Sequence, residues 1–206
     1  RGKYQIKEGV GKKKALNKKQ LKAIANYSDG NKFTEFYRDL WLFIYFCNGI
    51  NVADLINLKF SDIQNGEISF IREKTKDRTR DAKRIYAPIT PEMQSIIEKW
   101  GNNPRKSIYI FPFMKAGDDA WEHEKKKKNL TKHINDRMKV IGEKLNIGKI
   151  TTYVARHTYA TVLRNEGVPV SIISPMLGHT SITTTEIYLA DLESENRARN
   201  AHLLSF

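Results

Sequence analysis

The sequence predicts a mostly helical α+β domain with a small antiparallel β-sheet. Apolar residues recur at helical spacing in several segments, most clearly over residues 152–165. Residues 67–88 have the composition of a β-hairpin, and we expect the sheet to lie within residues 67–111. At 206 residues the chain is long enough to bury a sizeable core in one domain.

The chain begins with a basic leader. Residues 1–14 contain five lysines and three glycines and have little apolar content. We assign residues 1–16 to this leader and residues 17–206 to the folded domain. The leader either follows DNA phosphates or is a solvated tail, and the sequence leaves both open.

The predicted elements before residue 150 follow from cap residues and apolar spacing. In chain order they are a helix capped by Asn17, a central helix over 33–47, the hairpin with strands near 68–71 and 84–89, a helix that Thr90 and Pro91 begin, a short strand at 108–111, an exposed loop at 113–124, and a long helix from 125 to 145.

Composition indicates a polyanionic partner. Lys and Arg number 36 against 23 Asp and Glu, a net charge of +13, which suits DNA or RNA, although a basic protein without such a partner remains an alternative. The single cysteine, Cys47, excludes an internal disulfide framework and a cysteine-based zinc site. We expect no signal peptide, and the longest apolar stretch, residues 40–47, is far too short to span a bilayer. We therefore expect a cytoplasmic protein with no membrane partner.

Residues 151–191 place three chemically capable side chains on three successive elements. A helix over residues 152–165 carries Arg156, a second helix leads into a turn at His179, and a short third helix carries Tyr188 near its end. The connections are short enough for the three side chains to converge. Each also has an ordinary explanation, as a solvated arginine, a turn histidine and a half-buried tyrosine.

The segments ARHTYAT, LGHTS and TTEIY in this stretch resemble the C-terminal signature of the tyrosine recombinases, the phage integrase family. That signature reads His-x-x-Arg-His-(Thr/Ser)-x-Ala-Thr, then Leu-Gly-His, then Thr-x-x-Tyr. Arg156 matches the second active-site arginine, His179 the position of a histidine or tryptophan, and Tyr188 the nucleophile. The resemblance extends upstream to about residue 15.

The resemblance implies a tyrosine-recombinase catalytic domain with a small antiparallel sheet. The implied activity is that of a site-specific recombinase or integrase, which cleaves and rejoins double-stranded DNA through a 3′-phosphotyrosine without a cofactor or a metal. It also implies a tetramer on paired DNA sites and an N-terminal DNA-binding domain, which we expect to be missing from this chain. Residues 191–206 would pack on a neighbouring protomer, with docking onto their own domain as the alternative.

Two positions depart from the family pattern. Residues 48–58 resemble the first catalytic box, in which Gly49 matches and Asp54 replaces a glutamate, but Asn51 stands where the family has its first catalytic arginine. Asn51 cannot supply a charged fork, and we expect it to cap a helix. Tyr153 replaces the first histidine, three residues before Arg156 and on its helix face; it either orients the phosphate or packs in the core. His157 is expected to be structural.

The hairpin adds two candidates. Lys74, followed by a threonine, resembles the strand lysine that protonates the departing 5′ oxygen, with an exposed turn lysine as the alternative. Residues two apart on a strand face the same way, so Arg72 should share the face of Lys74. We hypothesise that Arg72 partly replaces the charge missing at Asn51. The alternatives are a strand arginine bound to a backbone phosphate or one that is solvated.

Other functions remain open on the sequence alone. The departures at Asn51 and Tyr153 suit a relative that binds DNA without cutting it. A type IB topoisomerase would share the chemistry, and an RNA-binding domain would explain the charge but not the motifs. Residues 122–124 (Glu-His-Glu) could suggest a metal, but nothing nearby in sequence completes a ligand set, and we reject that interpretation.

Overall fold

The computed structural model describes residues 14–74, 76, 83–179 and 181–190, excluding the side chains of Ile187, Tyr188 and Ala190. In this part of the chain the elements are, in order, α1 (Lys18–Ala25), α2 (Lys32–Phe46), α3 (Val52–Leu55), β1 (Ile63–Gln64), β2 (Glu67–Phe70), β3 (Ile85–Pro88), α4 (Pro91–Trp100), α5 (Ala120–Lys144), α6 (Thr152–Asn165), α7 (Val170–Met176) and α8 (Ile182–Ala190). The predicted mostly helical α+β architecture is confirmed. Most of the leader and all of residues 191–206 lie outside the described residues.

Cap residues set most helix boundaries where the sequence places them. The Asn17 side chain accepts a hydrogen bond from the backbone of Gln20 at 2.8 Å, and Thr90 caps α4. The helix predicted over 152–165 has those bounds. The long helix α5 begins earlier than the predicted residue 125, because Asp119 and Glu122 form a capping box at its start.

The sheet is antiparallel with the order β1–β2–β3, and Glu67 lies opposite Pro88 while Phe70 lies opposite Ile85. The predicted hairpin is therefore confirmed, but the sheet begins before residue 67. Asn65 and Gly66, both with positive φ, join β1 to β2 in a two-residue turn. The predicted strand at 108–111 is wrong, because that segment contributes only an isolated bridge between Tyr109 and Lys59.

Helix α2 forms the centre of the core, as its apolar circumference predicts. It packs against α4, α5 and α6, and its residues Trp41 and Phe43 are fully buried. The Trp41 indole donates to the backbone carbonyl of Thr151 at 2.8 Å, which ties α2 to the start of α6. Leu16 is also buried in this core, so residue 16 packs with the domain, although we had assigned it to the leader.

A second, smaller cluster lies beside the main core. Its buried members are Ala160, Ile173, Leu177 and Leu189, which join the second half of α6 to α7 and α8. None of the helices described here is long and apolar enough to cross a bilayer.

Candidate active site

Arg156 is held in place by backbone carbonyls from two distant segments. It lies in the second turn of α6, and the residue is only 5% exposed. One terminal nitrogen, Nη1, donates to the carbonyl of Gly49 at 2.8 Å, and the other, Nη2, donates to the carbonyl of Leu177. Because both hydrogen bonds fix the plane of the guanidinium, its direction is set before any ligand binds.

The turn between α2 and α3 is shaped to accept Arg156. Asn48 and Gly49 both have positive φ, at 52° and 63°. A Cβ atom on Gly49 would lie 2.8 Å from the Cα atom of Arg156, so only glycine allows this approach. The Asn48 side chain bonds to the backbone of Tyr86 at 2.9 Å and to the Tyr159 hydroxyl at 2.8 Å, which fixes the turn between β3 and α6.

His179 lies beside Arg156, in the turn after α7. Its Nε2 atom is 3.3 Å from Nη2 of Arg156, and its Nδ1 atom is 2.8 Å from the hydroxyl of Thr185 in α8. A guanidinium can only donate, so Nε2 accepts and Nδ1 carries the proton. Burial, together with the nearby positive charges of Arg156 and Arg72, lowers the pKa of His179 to about 4.

Arg72 reaches the same turn from the other side. Its Nη1 atom donates to the carbonyl of Gly178 at 3.0 Å. Gly178 has a φ of 64°, and a Cβ atom there would lie 2.5 Å from Cδ of Arg72. Arg72 and Arg156 therefore both lie close to His179, and two positive charges meet at one turn.

Arg72 and Lys74 do not lie on one strand, contrary to our prediction. Strand β2 ends at Phe70, and the chain turns at Glu73 and Lys74, so Arg72 and Lys74 do not share a strand face. The turn is anchored by Asp54, whose side chain accepts a hydrogen bond from the backbone of Glu73 at 2.7 Å. Burial raises the pKa of Asp54, against the effect of this hydrogen bond.

Lys74 is exposed in this turn, one residue after Glu73. Arg72 therefore lies against the His179 turn, whereas Lys74 does not. Of the residues that follow Lys74, Lys76 is described, whereas Thr75 and residues 77–82 lie outside the described residues.

Tyr153 lies in the first turn of α6 and is 59% exposed, so the interpretation of it as a core residue is wrong. Its ring packs edge-on against His157, with centroids 5.0 Å apart. His157 is buried, in keeping with a structural residue. Arg156 is buried whereas Tyr153 faces solvent, so the two differ in environment despite their helical spacing.

Asn51 precedes α3 at the N-cap position, but its side chain makes no capping hydrogen bond, contrary to our expectation. It lines a groove of about 430 Å³ between α3, α5 and the start of α6. The basic residues of the groove are Lys127, Lys128 and Lys132 of α5. The sequence shows the lysine run but not which of its members lie beside Asn51, because that depends on how α5 is rotated against α3.

Tyr188 lies in α8, the helix that contributes Thr185 to the contact with His179. Helix α8 packs on α7, and its residues Thr185 and Leu189 are buried. The backbone therefore places Tyr188 one turn after a residue that contacts His179. The position of its side chain lies outside the described residues.

The three residues considered for a metal are Glu122, His123 and Glu124. His123 lies 3.0 Å from the side-chain oxygen of Asn57, and Glu124 pairs with Lys127 and Lys128. Across the ranges that the structure describes, no three His, Cys, Asp or Glu side chains are grouped so as to hold a metal ion.

The model of the phage integrase family matches residues 14–195. The chain belongs to the phage integrase family. The tyrosine recombinase XerA of Pyrococcus furiosus is 28% identical to it over 180 residues, which are 85% of this chain and 56% of that protein. The tyrosine recombinase XerC of Chlamydia caviae is 26% identical over 172 residues, 82% of this chain and 52% of that protein. This family member thus spans about half the length of these relatives.

Solved structures show the same fold. The XerA recombinase has a TM-score of 0.57 at 20% identity, with 89% of this chain and 65% of that chain covered. The XerH site-specific recombinase bound to its difH substrate has a TM-score of 0.61 at 17% identity, with 88% and 51% covered. The predicted tyrosine-recombinase fold is therefore confirmed.

Proposed function

We propose that this chain is the catalytic domain of a site-specific recombinase or integrase that cleaves and rejoins double-stranded DNA through Tyr188. The observation that supports it best is the convergence of Arg156, His179 and Arg72 on one turn. They come from three separate segments, and the turn is in contact with the helix that carries Tyr188. Two fixed positive charges beside an imidazole suit a phosphodiester whose charge grows during reaction.

In the proposed reaction, the Tyr188 oxygen bonds to the scissile phosphorus while the bond from phosphorus to the 5′ oxygen breaks. The phenol proton passes to water, and the departing 5′ oxygen takes a proton from Lys74. The product is a 3′-phosphotyrosine and a free 5′ hydroxyl. Attack by a 5′ hydroxyl from a second DNA end reverses these steps, so rejoining needs neither a cofactor nor ATP.

Arg156 and His179 bind the non-bridging oxygens in this proposal, and Arg72 supplies the positive charge that Asn51 lacks. Arg72 is suited to this because its guanidinium already lies at the His179 turn. Tyr153, exposed at the start of α6, donates a hydrogen bond to the DNA backbone and does not act as a general base. Lys74 reaches the leaving oxygen from its exposed turn once DNA is bound.

The proposed partners are duplex DNA from a mobile element and further protomers, assembled as a tetramer on paired sites. Names of similar solved structures support DNA as the partner, since one is a Tn1549 transposon integrase in complex with a circular intermediate DNA. The net charge of +13 is consistent with this partner.

The test uses DNA from the ends of the element that encodes the protein, nicked near the cleavage position so that the adduct cannot reseal. A denaturing gel should show a covalent protein–DNA adduct, and peptide mapping should place it on Tyr188. The matched control is Tyr188→Phe, which removes one oxygen and should abolish the adduct. An adduct that persists in Tyr188→Phe would contradict the assignment of the nucleophile.

Asn51 favours one alternative function, that of a family member that binds DNA without cutting it. The groove at Asn51 carries lysines but no arginine fork at the expected position. Under this alternative the protein retards DNA on a native gel and forms no adduct. Asn51→Arg would then be expected to restore cleavage, and a wild-type adduct on Tyr188 would exclude the alternative.

A further inference from the structure

Thr185 joins the helix that carries Tyr188 to His179. Thr185 is fully buried, and its hydroxyl lies 2.8 Å from Nδ1 of His179. It precedes Tyr188 by three residues in α8, which is about one helical turn. This side-chain contact therefore connects the helix that carries Tyr188 to the turn at which Arg72 and Arg156 lie.

The free protein holds His179 in a state that cannot donate to a phosphate through Nε2. Nη2 of Arg156 lies 3.3 Å from that atom and can only donate, so Nε2 accepts. Nδ1 then carries the ring proton and donates it to the Thr185 hydroxyl. To bind a non-bridging oxygen, Nε2 must carry a proton, and Nδ1 of the neutral ring must then accept a hydrogen bond.

We propose that Thr185 is a positioning residue that supports both hydrogen-bonding states of His179. Its hydroxyl accepts from Nδ1–H in the free protein and donates to Nδ1 when Nε2–H binds the scissile phosphate. Threonine can do both because a hydroxyl has one donor and two acceptor sites. The change of tautomer moves no net charge, because Nδ1 gives one proton to water and Nε2 takes one from water.

The charges that face His179 favour this neutral change over protonation. Arg156 of α6 and Arg72 after β2 both face the ring, and Thr185 of α8 is uncharged. Burial and the two cations together lower the pKa of His179 to about 4, so a second ring proton is disfavoured. An entering phosphate gives Nε2–H an acceptor, and Thr185 then keeps Nδ1 hydrogen-bonded.

The proposal rests on the proposed function, and two matched substitutions separate it from simple packing. Thr185→Val keeps the shape and removes the hydroxyl, whereas Thr185→Ser keeps the hydroxyl and removes a methyl group. We expect Thr185→Ser to form the covalent adduct on nicked DNA within a few-fold of the wild-type rate. Thr185→Val should be slower by about 10- to 100-fold, a loss similar to that seen when a partner that orients a metal-bound histidine is removed. The opposite order of the two variants would mean that Thr185 only packs, and it would overturn the proposal.

A second comparison shows whether Thr185 acts through His179. In a His179→Ala background, Thr185→Val should lower the cleavage rate no further, because the ring that it orients is gone. An equal loss with and without His179 would also overturn the proposal.

Nitrogen NMR of the free protein gives a readout that does not depend on cleavage. The five histidines are labelled, and the His179 signals are assigned as those missing in His179→Gln. Wild type should show His179 protonated on Nδ1, and Thr185→Val should shift the ring towards Nε2–H. If no adduct forms with any variant, the proposed function fails, while the NMR comparison still tests the contact. Protonation on Nε2 in the wild type would overturn the proposal.

Discussion

Arg72 reaches the candidate site although it lies beyond the end of its strand. Its hydrogen bond to the carbonyl of Gly178 and the absence of a side chain at Gly178 bring the guanidinium against the His179 turn. Our hypothesis about Arg72 assumed that β2 continued to Lys74, whereas the strand ends at Phe70. The turn at Glu73, anchored by Asp54, is a tertiary contact that no local pattern reveals.

Substitution of Arg72 tests its contribution to phosphate binding. Arg72→Ala should lower the rate of adduct formation by about 10²- to 10³-fold, the usual cost of one lost donor to the transition state. The measurement is single-turnover cleavage of nicked DNA. The control is Arg84→Ala in the same hairpin, whose side chain bonds to Ser69 and should leave the rate near that of wild type. Equal rates for Arg72→Ala and wild type would exclude a role for Arg72 in phosphate binding.

The pKa of His179 makes a further prediction, about stability. The folded-state pKa lies near 4 and the ordinary value is 6.5, so between these values the unfolded chain binds more protons than the folded one. Stability contributed by neutral His179 is therefore full above about pH 6.5 and is lost as the pH falls towards about 4. Denaturant unfolding from about pH 7 down to about pH 4.5 should show a larger loss of stability for wild type than for His179→Gln. Equal losses would mean that His179 is not held neutral.

At the scale of single elements, local sequence patterns predict several helix boundaries. The bounds of α6 and the caps of α1 and α4 follow from short-range rules. Two further signals of the same kind are present in the sequence but were not used in our prediction. The Asn65-Gly66 pair is a strong hairpin signal and would have predicted β1, and the capping box at Asp119 would have placed the start of α5.

The backbone and side-chain partners that hold Arg156 and His179 were not predicted from the sequence. The carbonyls of Gly49 and Leu177 hold Arg156, and Thr185 contacts His179, but these contacts join residues that are far apart or on different elements. The sequence carries the motif residues themselves, whereas their partners depend on how the turns and helices pack.

The turn between α2 and α3 can be tested through its glycine. Gly49→Ala places a Cβ atom 2.8 Å from the Cα atom of Arg156 and also forces a side chain onto positive φ. Gly66→Ala is the matched control, since Gly66 also has positive φ but no atom near the added Cβ. Gly66→Ala should cost about 1–2 kcal/mol of unfolding free energy, and Gly49→Ala should cost more. Denaturant unfolding measures both, and equal costs would mean that the approach of Arg156 does not constrain the turn.

At the scale of the whole molecule, the packing of α3, α5 and α6 brings several of the excess lysines together in one groove. Lys128 and Lys132 of α5 line the groove at Asn51, close to the start of α6. Lys128 lies 3.6 Å from Glu124, but exposed pairs of this kind contribute little and leave the lysine able to meet a phosphate. The groove therefore suits the DNA backbone next to the candidate site.

Salt dependence can test this use of the groove. Lys128→Gln should weaken DNA binding for all sequences and reduce the slope of log affinity against log salt by about one, the effect of one lost phosphate contact. The control is Lys18→Gln, an exposed lysine of α1 that pairs with Glu166 and lies outside this groove. Binding is measured by fluorescence anisotropy over a salt series. An unchanged slope for Lys128→Gln would place the DNA elsewhere.

The small cluster of Ala160, Ile173, Leu177 and Leu189 has a consequence for motion. It anchors α8 with far fewer buried side chains than the main core around α2 provides. The free energy of local opening is smaller for a segment that buries less apolar surface. In native-state hydrogen exchange, the amides of α8 should therefore lose protection at lower denaturant than those of α2. The protein would then be able to release and redock the helix that carries Tyr188 while the main core around α2 stays folded.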